Sequence, residues 1–214
     1  MADYPPQKYV RAGGKLYENV RGGGGVVALV QVYSNTTANW NIAGSGNGTW
    51  LDKITPQSIG TTLTDEYKIR FKLVFNSFTI KTGQESRECQ GRTGFAKGSS
   101  WAGNPDFLGI RTETVQWQGG GLRFVSRDSG GTTQTEISSS PSGTYYIECE
   151  NPNNGTTTCK LFTDSTYLTQ TGTTLTHTRN PQNLDYFVSE HHNNYSGINL
   201  GAINFNVSNA YAFD

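Results

Sequence analysis

The chain has 214 residues, which fits one large all-β domain or a domain with an added arm. Lys plus Arg and Asp plus Glu each number 17, so the formal charge is zero and nothing attracts the chain generally to nucleic acid or anionic membranes. Apolar residues make up only 34%, but 12% are aromatic and short β-branched runs recur, which excludes a disordered chain and favours a sandwich with many turns.

Residues 1–25 are predicted to form an arm that precedes a sandwich domain over residues 26–214. Glycine clusters at Gly13-Gly14 and Gly22–Gly25 bracket a short strand predicted over Lys15–Val20. Four consecutive glycines make a flexible hinge or permit a close backbone approach. The start lacks the basic-then-apolar layout of a secretory signal, and no apolar run is long enough to cross a bilayer. These features fit a cytosolic product, a mature form whose start has been replaced, or a protein that leaves the cell inside a particle. We expect an extracellular or virion-surface location without a recognisable signal peptide and without membrane insertion.

The first half of the domain is predicted to hold few strands. Val26–Tyr33 is the most apolar run, β-branched and preceded by glycines, which predicts a fully buried strand. Residues 35–64 are predicted to be rich in loops, and residues 83–106 to form a long polar connection. A loop of that length in a compact domain is more often functional than accidental.

The segment Tyr67–Phe75 alternates with the period of a strand that has one buried face. Tyr67, Ile69, Phe71 and Leu73 are predicted to face inward. The basic residues between them are predicted to face water; they are Lys68, Arg70 and Lys72. A shorter strand is predicted over Phe78–Thr82.

Strands recur about every ten residues in the second half, and turn residues separate them. They are predicted over Phe107–Arg111, Thr114–Gln118, Leu122–Ser126, Thr132–Ile137, Thr144–Glu150, Cys159–Thr163, Thr173–Thr178, Leu184–Glu190 and Ala202–Tyr211. No segment shows a sustained helical period. This pattern favours a sandwich or a barrel.

The hairpin Thr144–Thr163 is the clearest local prediction. If the turn tip lies at residues 153–155, Cys149 faces Cys159 and Ile147 faces Leu161 across the strand pair. The two cysteines then either form a disulfide, which suits an oxidising location, or pack as two reduced small hydrophobes.

Four stretches carry a family resemblance: GTYYIECE, CKLFTDSTYL, LDYFVSEHH and INFNVSNAYAF. Their order, over roughly residues 65–214, resembles the second half of a concanavalin A-like lectin/glucanase (laminin-G-like) jelly roll. The resemblance implies an all-β antiparallel sandwich with an extended N-terminal arm, of the kind found in virion and cell-surface structural proteins.

Hydrolysis by this family needs carboxylates at alternate positions of one strand, and its E-x-D-x-x-E pattern is absent. Glu148 and Glu150 share one strand face, and we expect them to be solvated rather than catalytic. No nucleophile elbow, Walker loop or dinucleotide fingerprint occurs either. The chain is therefore predicted not to be an enzyme.

Aromatic residues beside amides and carboxylates suggest glycan binding, because sugar rings stack on aromatic faces while their hydroxyls hydrogen-bond to polar groups. The candidate glycan-binding residues are Trp101, Asn104, Asp106, Glu190, His192, Asn193 and Tyr195. The alternatives are that Trp101 plugs the core, and that the polar run 190–195, expected on a loop, binds a metal. No cofactor is expected, and a structural calcium has no motif to support it.

Five acceptor sequons would matter if the chain meets a glycosylation machinery. They begin at Asn35, Asn47, Asn154, Asn194 and Asn206.

The leading functional hypothesis is a structural and adhesive subunit of an extracellular assembly such as a virion surface, a fibre or a pilus-like filament. Its partners would be copies of itself and glycans, with no nucleic acid. The alternative is a free-standing carbohydrate-binding module, and a glycoside hydrolase of the same fold ranks third.

Overall fold

The computed structural model describes residues 9–12, 15–18, 30–36, 39–45, 51–80, 89–99, 105–114, 120–152, 154–193 and 201–214. These residues form sixteen β-strands and no helix. The strands are β1 (Tyr9–Ala12), β2 (Lys15–Glu18), β3 (Gln31–Asn35), β4 (Trp40–Ser45), β5 (Leu51–Lys53), β6 (Gln57–Leu63), β7 (Glu66–Ile80), β8 (Cys89–Ala96), β9 (Phe107–Glu113), β10 (Gly121–Asp128), β11 (Gly131–Ser138), β12 (Gly143–Pro152), β13 (Thr157–Phe162), β14 (Gln170–His177), β15 (Leu184–Asn193) and β16 (Gly201–Phe213). The described part accordingly contains no helix able to span a membrane.

Two large antiparallel sheets form the fold. Sheet I has the order β14-β13-β12-β7-β16-β3, and β4 also pairs with β16. Sheet II has the order β11-β10-β9-β8-β15-β5, and β6 also pairs with β15. Strands β1 and β2 pair with each other as a separate two-stranded sheet. The predicted all-β antiparallel jelly-roll sandwich is confirmed.

The core lies between the inner faces of the two sheets. On β7 it takes every second residue, and Ile69, Phe71 and Leu73 have no exposed surface. Phe124 and Phe187 are equally buried on the strands of sheet II. The inward side of the alternating segment is therefore confirmed, and each sheet contributes one apolar face because strand side chains alternate.

Two predictions for the first half are wrong. The strand after the glycine run is Gln31–Asn35; it is half-buried rather than fully buried because it lies at the end of the order of sheet I, beside β16. Residues 26–29 lie outside the described residues. The stretch 35–64, predicted to be rich in loops, contains β4, β5 and β6. Trp40 of β4 packs on Phe187 with ring centroids 5.4 Å apart, so the stretch contributes to the core.

Two predicted interruptions are also wrong. Strand β7 continues without a break through Phe78. Its pairing with β16 shifts register between Asn204 and Phe205. The predicted polar connection 83–106 contains β8, whose residues 91–96 are all buried. The strand predicted over Thr114–Gln118 lies outside the described residues beyond Thr114.

Strand β8 escaped prediction because glycines replace the alternating apolar residues. Gly94 faces Gly109 of β9 directly. A Cβ atom on Gly94 would lie 2.3 Å from the carbonyl oxygen of Leu108, and one on Gly109 would lie 2.3 Å from that of Thr93. Glycine is therefore required at both positions by a close backbone approach.

Arg70, predicted to face water, is 1% exposed on the outer face of sheet I. It lies opposite Glu148 of β12, and its Nε donates a hydrogen bond of 2.6 Å to Glu148 Oε2. The turn after β13 brings the Tyr167 ring to 4.6 Å from the guanidinium carbon, and Phe213 lies at 5.3 Å. The prediction failed because the covering aromatic residues are distant in sequence.

His177 connects the two sheets at one edge of the sandwich. It belongs to β14 of sheet I, and its Nδ1 lies 2.7 Å from Ser126 Oγ of β10. Its Nε2 lies 2.9 Å from Thr135 Oγ1 of β11, and its ring stacks on Phe124 at 4.1 Å. Burial, assisted by the nearby Arg179 charge, lowers the pKa of His177 from 6.5 to about 4. The neutral imidazole is therefore the form that bridges the sheets.

The buried ion pair predicts that substitutions at two neighbouring glutamates lower the free energy of unfolding by different amounts. Glu148→Gln leaves the Arg70 charge buried without a counter-charge, which costs about 3–5 kcal/mol. Glu150→Gln, on the same strand face but 25% exposed in its side chain, loses ion pairs with Lys68 and Lys160 that water partly screens, and should cost less, about 1–2 kcal/mol. Urea unfolding of both variants measures the difference, and equal losses would contradict the buried pair.

His177 predicts acid sensitivity. The unfolded chain binds a proton on this histidine below its ordinary pKa of 6.5, whereas the folded chain resists protonation until about pH 4. The stabilising contribution is therefore complete above about pH 6.5 and is lost as the pH falls through that interval. The unfolding free energy of the wild type should decrease more steeply between those pH values than that of His177→Gln. Parallel curves would show that the histidine is not buried in its neutral form.

Candidate functional site

Five charged side chains form a lateral row on the outer face of sheet II. Glu190 of β15 faces Arg92 of β8, which faces Arg111 of β9. Arg111 faces Arg123 of β10, and Arg123 faces Glu136 of β11. Neighbouring strands lie about 4.8 Å apart, so this charged row spans about 19 Å across the strands.

The three adjacent arginines repel one another, because like charges directly opposite on neighbouring strands are destabilising. Glu113, two positions further along β9, relieves this repulsion. Its Oε1 lies 2.6 Å from Arg111 Nη2, and its Oε2 lies 3.3 Å from Arg123 Nε. At the β15 end, Glu190 Oε1 accepts a hydrogen bond of 2.7 Å from Arg92 Nε and lies 2.6 Å from Arg92 Nη2 in the same ion pair.

The charged row is partly buried. The side chains of Arg111 and Glu190 are each 21% exposed, and those of Arg123 and Arg92 are 11% and 8% exposed. Burial lowers the pKa of Arg92 to about 10, although Glu190 counteracts the shift. The guanidinium group therefore stays charged near neutral pH, and its ion pair fixes its orientation.

A small apolar cluster lies beside the row on the same face. It consists of Ala96, Phe107, Val125 and Val188, with Tyr186 packed against it. The ring of Phe107 passes over the glycine pair Gly94 and Gly109, and it lies 5.8 Å from the guanidinium carbon of Arg92. The cluster therefore borders the row along β15, β8, β9 and β10.

The predicted glycan-binding residues fall in separate places. Glu190 belongs to the charged row. Asp106 accepts a hydrogen bond of 2.8 Å from the Gln182 backbone N–H, and its own carbonyl accepts one from Lys97. Because Phe107 lies level with Tyr186, Asp106 is about 17 Å from Glu190 along the strand direction. These two predicted residues are not brought together.

Strand β15 continues to Asn193, through the described part of the polar run that was expected on a loop. His192 pairs with Gln90 and Leu51, and Asn193 pairs with Cys89. The loop prediction is wrong because pairing with β8 and β5 extends the strand past its apolar segment. Trp101, Asn104 and Tyr195 lie outside the described residues, so the glycan-binding set stays a prediction.

The carboxylate pair on β12 is held by cations rather than by water. Glu148 is 4% exposed, contrary to the prediction of a solvated face. Glu150 lies 2.8 Å from Lys68 Nζ and 2.9 Å from Lys160 Nζ. Burial alone would raise the pKa of Glu150, but these two ammonium groups hold it at about 2. A carboxylate so strongly ionised cannot act as the general acid that glycoside hydrolysis needs.

The hairpin register is confirmed. Cys149 pairs with Cys159 and Ile147 with Leu161, as the turn position predicted. The structure contains no bond between the two sulfurs: both cysteines are free and buried. Burial and the adjacent Cys159 thiol raise the pKa of Cys149 well above its ordinary value, which disfavours the thiolate that disulfide formation requires. The pair packs as two small hydrophobes.

The sequons differ in their surroundings. Asn154 is exposed at the tip of the β12–β13 hairpin, where its Oδ1 accepts a hydrogen bond of 3.1 Å from Thr156 N–H. Asn206 is half-buried within β16, between β4 and β7. Asn35 ends β3, and Asn47 and Asn194 lie outside the described residues. Within the described part, no three His, Cys, Asp or Glu side chains are placed to hold a metal ion.

The charged row escaped the sequence analysis except for Glu190. Arg111 and Glu113 are two apart on one strand, which signals a shared face. Their alignment with Arg92 and Arg123 depends on strand registers that the sequence pattern did not supply.

No protein-family model matches the chain, and neither does any curated protein. Solved structures are similar to it at low identity. The CBM2 module of the evolved Dit of Lactobacillus casei BL23 phage J-1 is 11% identical, over 98% of this chain and 79% of that chain, with a TM-score of 0.41. The lectin UEA-II complexed with galactose is 9% identical, over 92% and 89%, with a TM-score of 0.43. An alginate lyase from Pseudomonas aeruginosa is 10% identical, over 98% and 87%, with a TM-score of 0.42.

The buried cysteine pair predicts low thiol reactivity. In a Cys89→Ser background, Cys149 and Cys159 should not react with a thiol reagent in the folded protein, because both are buried and the Cys149 thiol resists ionisation. Both should react after denaturation in guanidinium. Titration with Ellman's reagent measures this. Rapid reaction of two thiols in the folded protein, or no thiols after denaturation, would contradict the free buried pair.

Proposed function

We propose that the chain is a non-enzymatic, carbohydrate-binding subunit of an extracellular assembly such as a virion surface or a fibre. The observation that carries the binding role is the charged row on sheet II. Arginine side chains only donate hydrogen bonds and ionised glutamates only accept them, whereas a sugar hydroxyl does both. A row that presents both kinds of group on a rigid sheet matches the pattern of hydroxyls along a glycan.

Preorganisation supports this role. Arg111 and Arg123 form ion pairs with Glu113, and Glu190 holds Arg92 through a hydrogen bond and an ion pair. Side chains that are already fixed lose little further entropy when a ligand binds, so more of the contact energy appears as affinity. The sheet itself provides a rigid support for these groups.

A binding role rather than hydrolysis agrees with the carboxylates of β12. Glu148 and Glu150 share a strand face, but each is engaged by basic side chains, and Glu150 has a pKa of about 2. We expect the chain to bind polysaccharide without releasing reducing ends.

The assembly role draws on the arm and on the sheet edges. Within the described residues, β1 and β2 pair with each other rather than with a strand of sheet I or sheet II. Strands β14 and β11 end the orders of sheets I and II. An edge strand presents unpaired backbone groups, which an extended segment from a neighbouring subunit can complete.

The second candidate is a free-standing carbohydrate-binding module, and truncation separates it from the first. The full chain should form oligomers in light scattering, and a chain lacking residues 1–24 should lose them while keeping its melting temperature. A full-length monomer at high concentration would leave only the free-standing module.

Retention on polysaccharide tests the binding role directly. The full chain should migrate more slowly in native gels that contain dissolved polysaccharide than in gels without it, and no reducing ends should appear on long incubation. Unchanged mobility across a broad panel of neutral and acidic polysaccharides would refute the proposed function.

A further inference from the structure

The charged row is close to electrically neutral, and this restricts the glycan it can take. Its three arginines pair with the carboxylates of Glu113 and Glu190, and a third carboxylate, that of Glu136, follows Arg123 in the cross-strand register. The local balance lies within one charge of zero, as does that of the whole chain.

An anionic polymer is a poor match for such a surface. A uronate or sulfate group near Arg111 or Arg123 would also approach the Glu113 carboxylate, which is only 4% exposed. Repulsion between anions is strong where water is largely excluded. Neutral hydroxyl groups avoid this cost, because they can donate to the glutamates and accept from the arginines.

The direction of the row indicates the shape of the ligand. The charged row crosses five strands almost at right angles and spans about 19 Å. A ligand that follows it meets a polar side chain at every strand. A single sugar would reach one or two of these positions, whereas a chain would reach them all.

We propose that the charged row on sheet II binds a linear, uncharged polysaccharide that lies across the strands. This inference rests on the proposed carbohydrate-binding function and narrows it to one surface and one ligand class. Arg111 is the central position of the row and, with Glu190, the most exposed of its ion-paired side chains. Of the three arginines it therefore has the largest exposed fraction of side chain.

The variants follow from this arrangement. Arg111→Gln and Arg123→Gln each remove charged donors from the centre of the row while keeping a polar side chain. Lys160→Gln is the matched control: Lys160 is 27% exposed and ion-paired with Glu150, but it lies on the outer face of sheet I. All three should keep the wild-type fold by circular dichroism, and melting temperatures are measured alongside.

The probes are xyloglucan, galactomannan and a β-1,3-glucan as neutral polysaccharides, with alginate, pectate and heparin as acidic ones. The full chain should be retarded by at least one neutral polysaccharide. Arg111→Gln and Arg123→Gln should weaken that binding by about tenfold to a hundredfold, since a hydrogen bond to a charged group is lost. Lys160→Gln should bind like the wild type. Raising NaCl from about 0.05 M to about 0.5 M should change the affinity by less than about twofold.

Oligosaccharides cut from the retained polysaccharide should bind more tightly as they lengthen, until they span the row. Binding only to acidic polysaccharides, with affinity that falls steeply in salt, would overturn the neutral class and leave the proposed function intact. Retention that both arginine variants preserve would overturn the charged row as the surface, again without harming the function. No retention by any of the six probes would refute the inference together with the proposed function.

Discussion

The ion pair between Arg70 and Glu148 is the interaction on which the outer face of sheet I depends. Antiparallel pairing of β7 with β12 sets the two residues side by side, and the turn after β13 covers them with Tyr167. Tyr167 has a φ of 55°, a left-handed conformation that costs a residue with a side chain about 1–3 kcal/mol. The free energy that the packing around Tyr167 contributes must exceed that cost. A buried charge that has lost its partner is far more costly than the pair itself. The β7–β12 register, the turn after β13 and the Tyr167 ring therefore depend on one another.

The outer face of sheet II handles its charges differently. Three arginines lie on adjacent strands and form ion pairs with Glu113 and Glu190 while the row stays partly exposed. Sheet I confines its arginine beneath aromatic rings, where Arg70 is 1% exposed, whereas Arg111 on sheet II keeps 21% of its side chain in solvent. The arginines of sheet II range from Arg92, whose side chain is 8% exposed, to Arg111. The row on sheet II therefore leaves some arginine surface in contact with solvent, which a ligand requires.

Local patterns in the sequence were sufficient for the fold class, for the register of the Cys149–Cys159 hairpin and for the inward face of β7. Each depends on a period of two or on one short turn. The burial of Arg70 could not be predicted in this way, because Tyr167 and Phe213 approach it from remote parts of the chain. Strand β8 was missed because the close backbone of β9 requires a glycine at Gly94, which interrupts the alternation of apolar side chains.

The candidate site could not be predicted from the sequence for the same reason. Glu190 and Arg92 are cross-strand neighbours although 98 positions separate them in the chain. Their alignment follows from how β15 pairs with β8, which composition does not specify. Three adjacent arginines also lower the stability of the sheet, because apolar side chains or charges of alternating sign at those positions would avoid the repulsion. Local rules are most often broken at functional sites, and three aligned arginines break one. Glu113 and Glu190 offset the repulsion between them, and the resulting row of paired charges is the feature on which the proposed binding role rests.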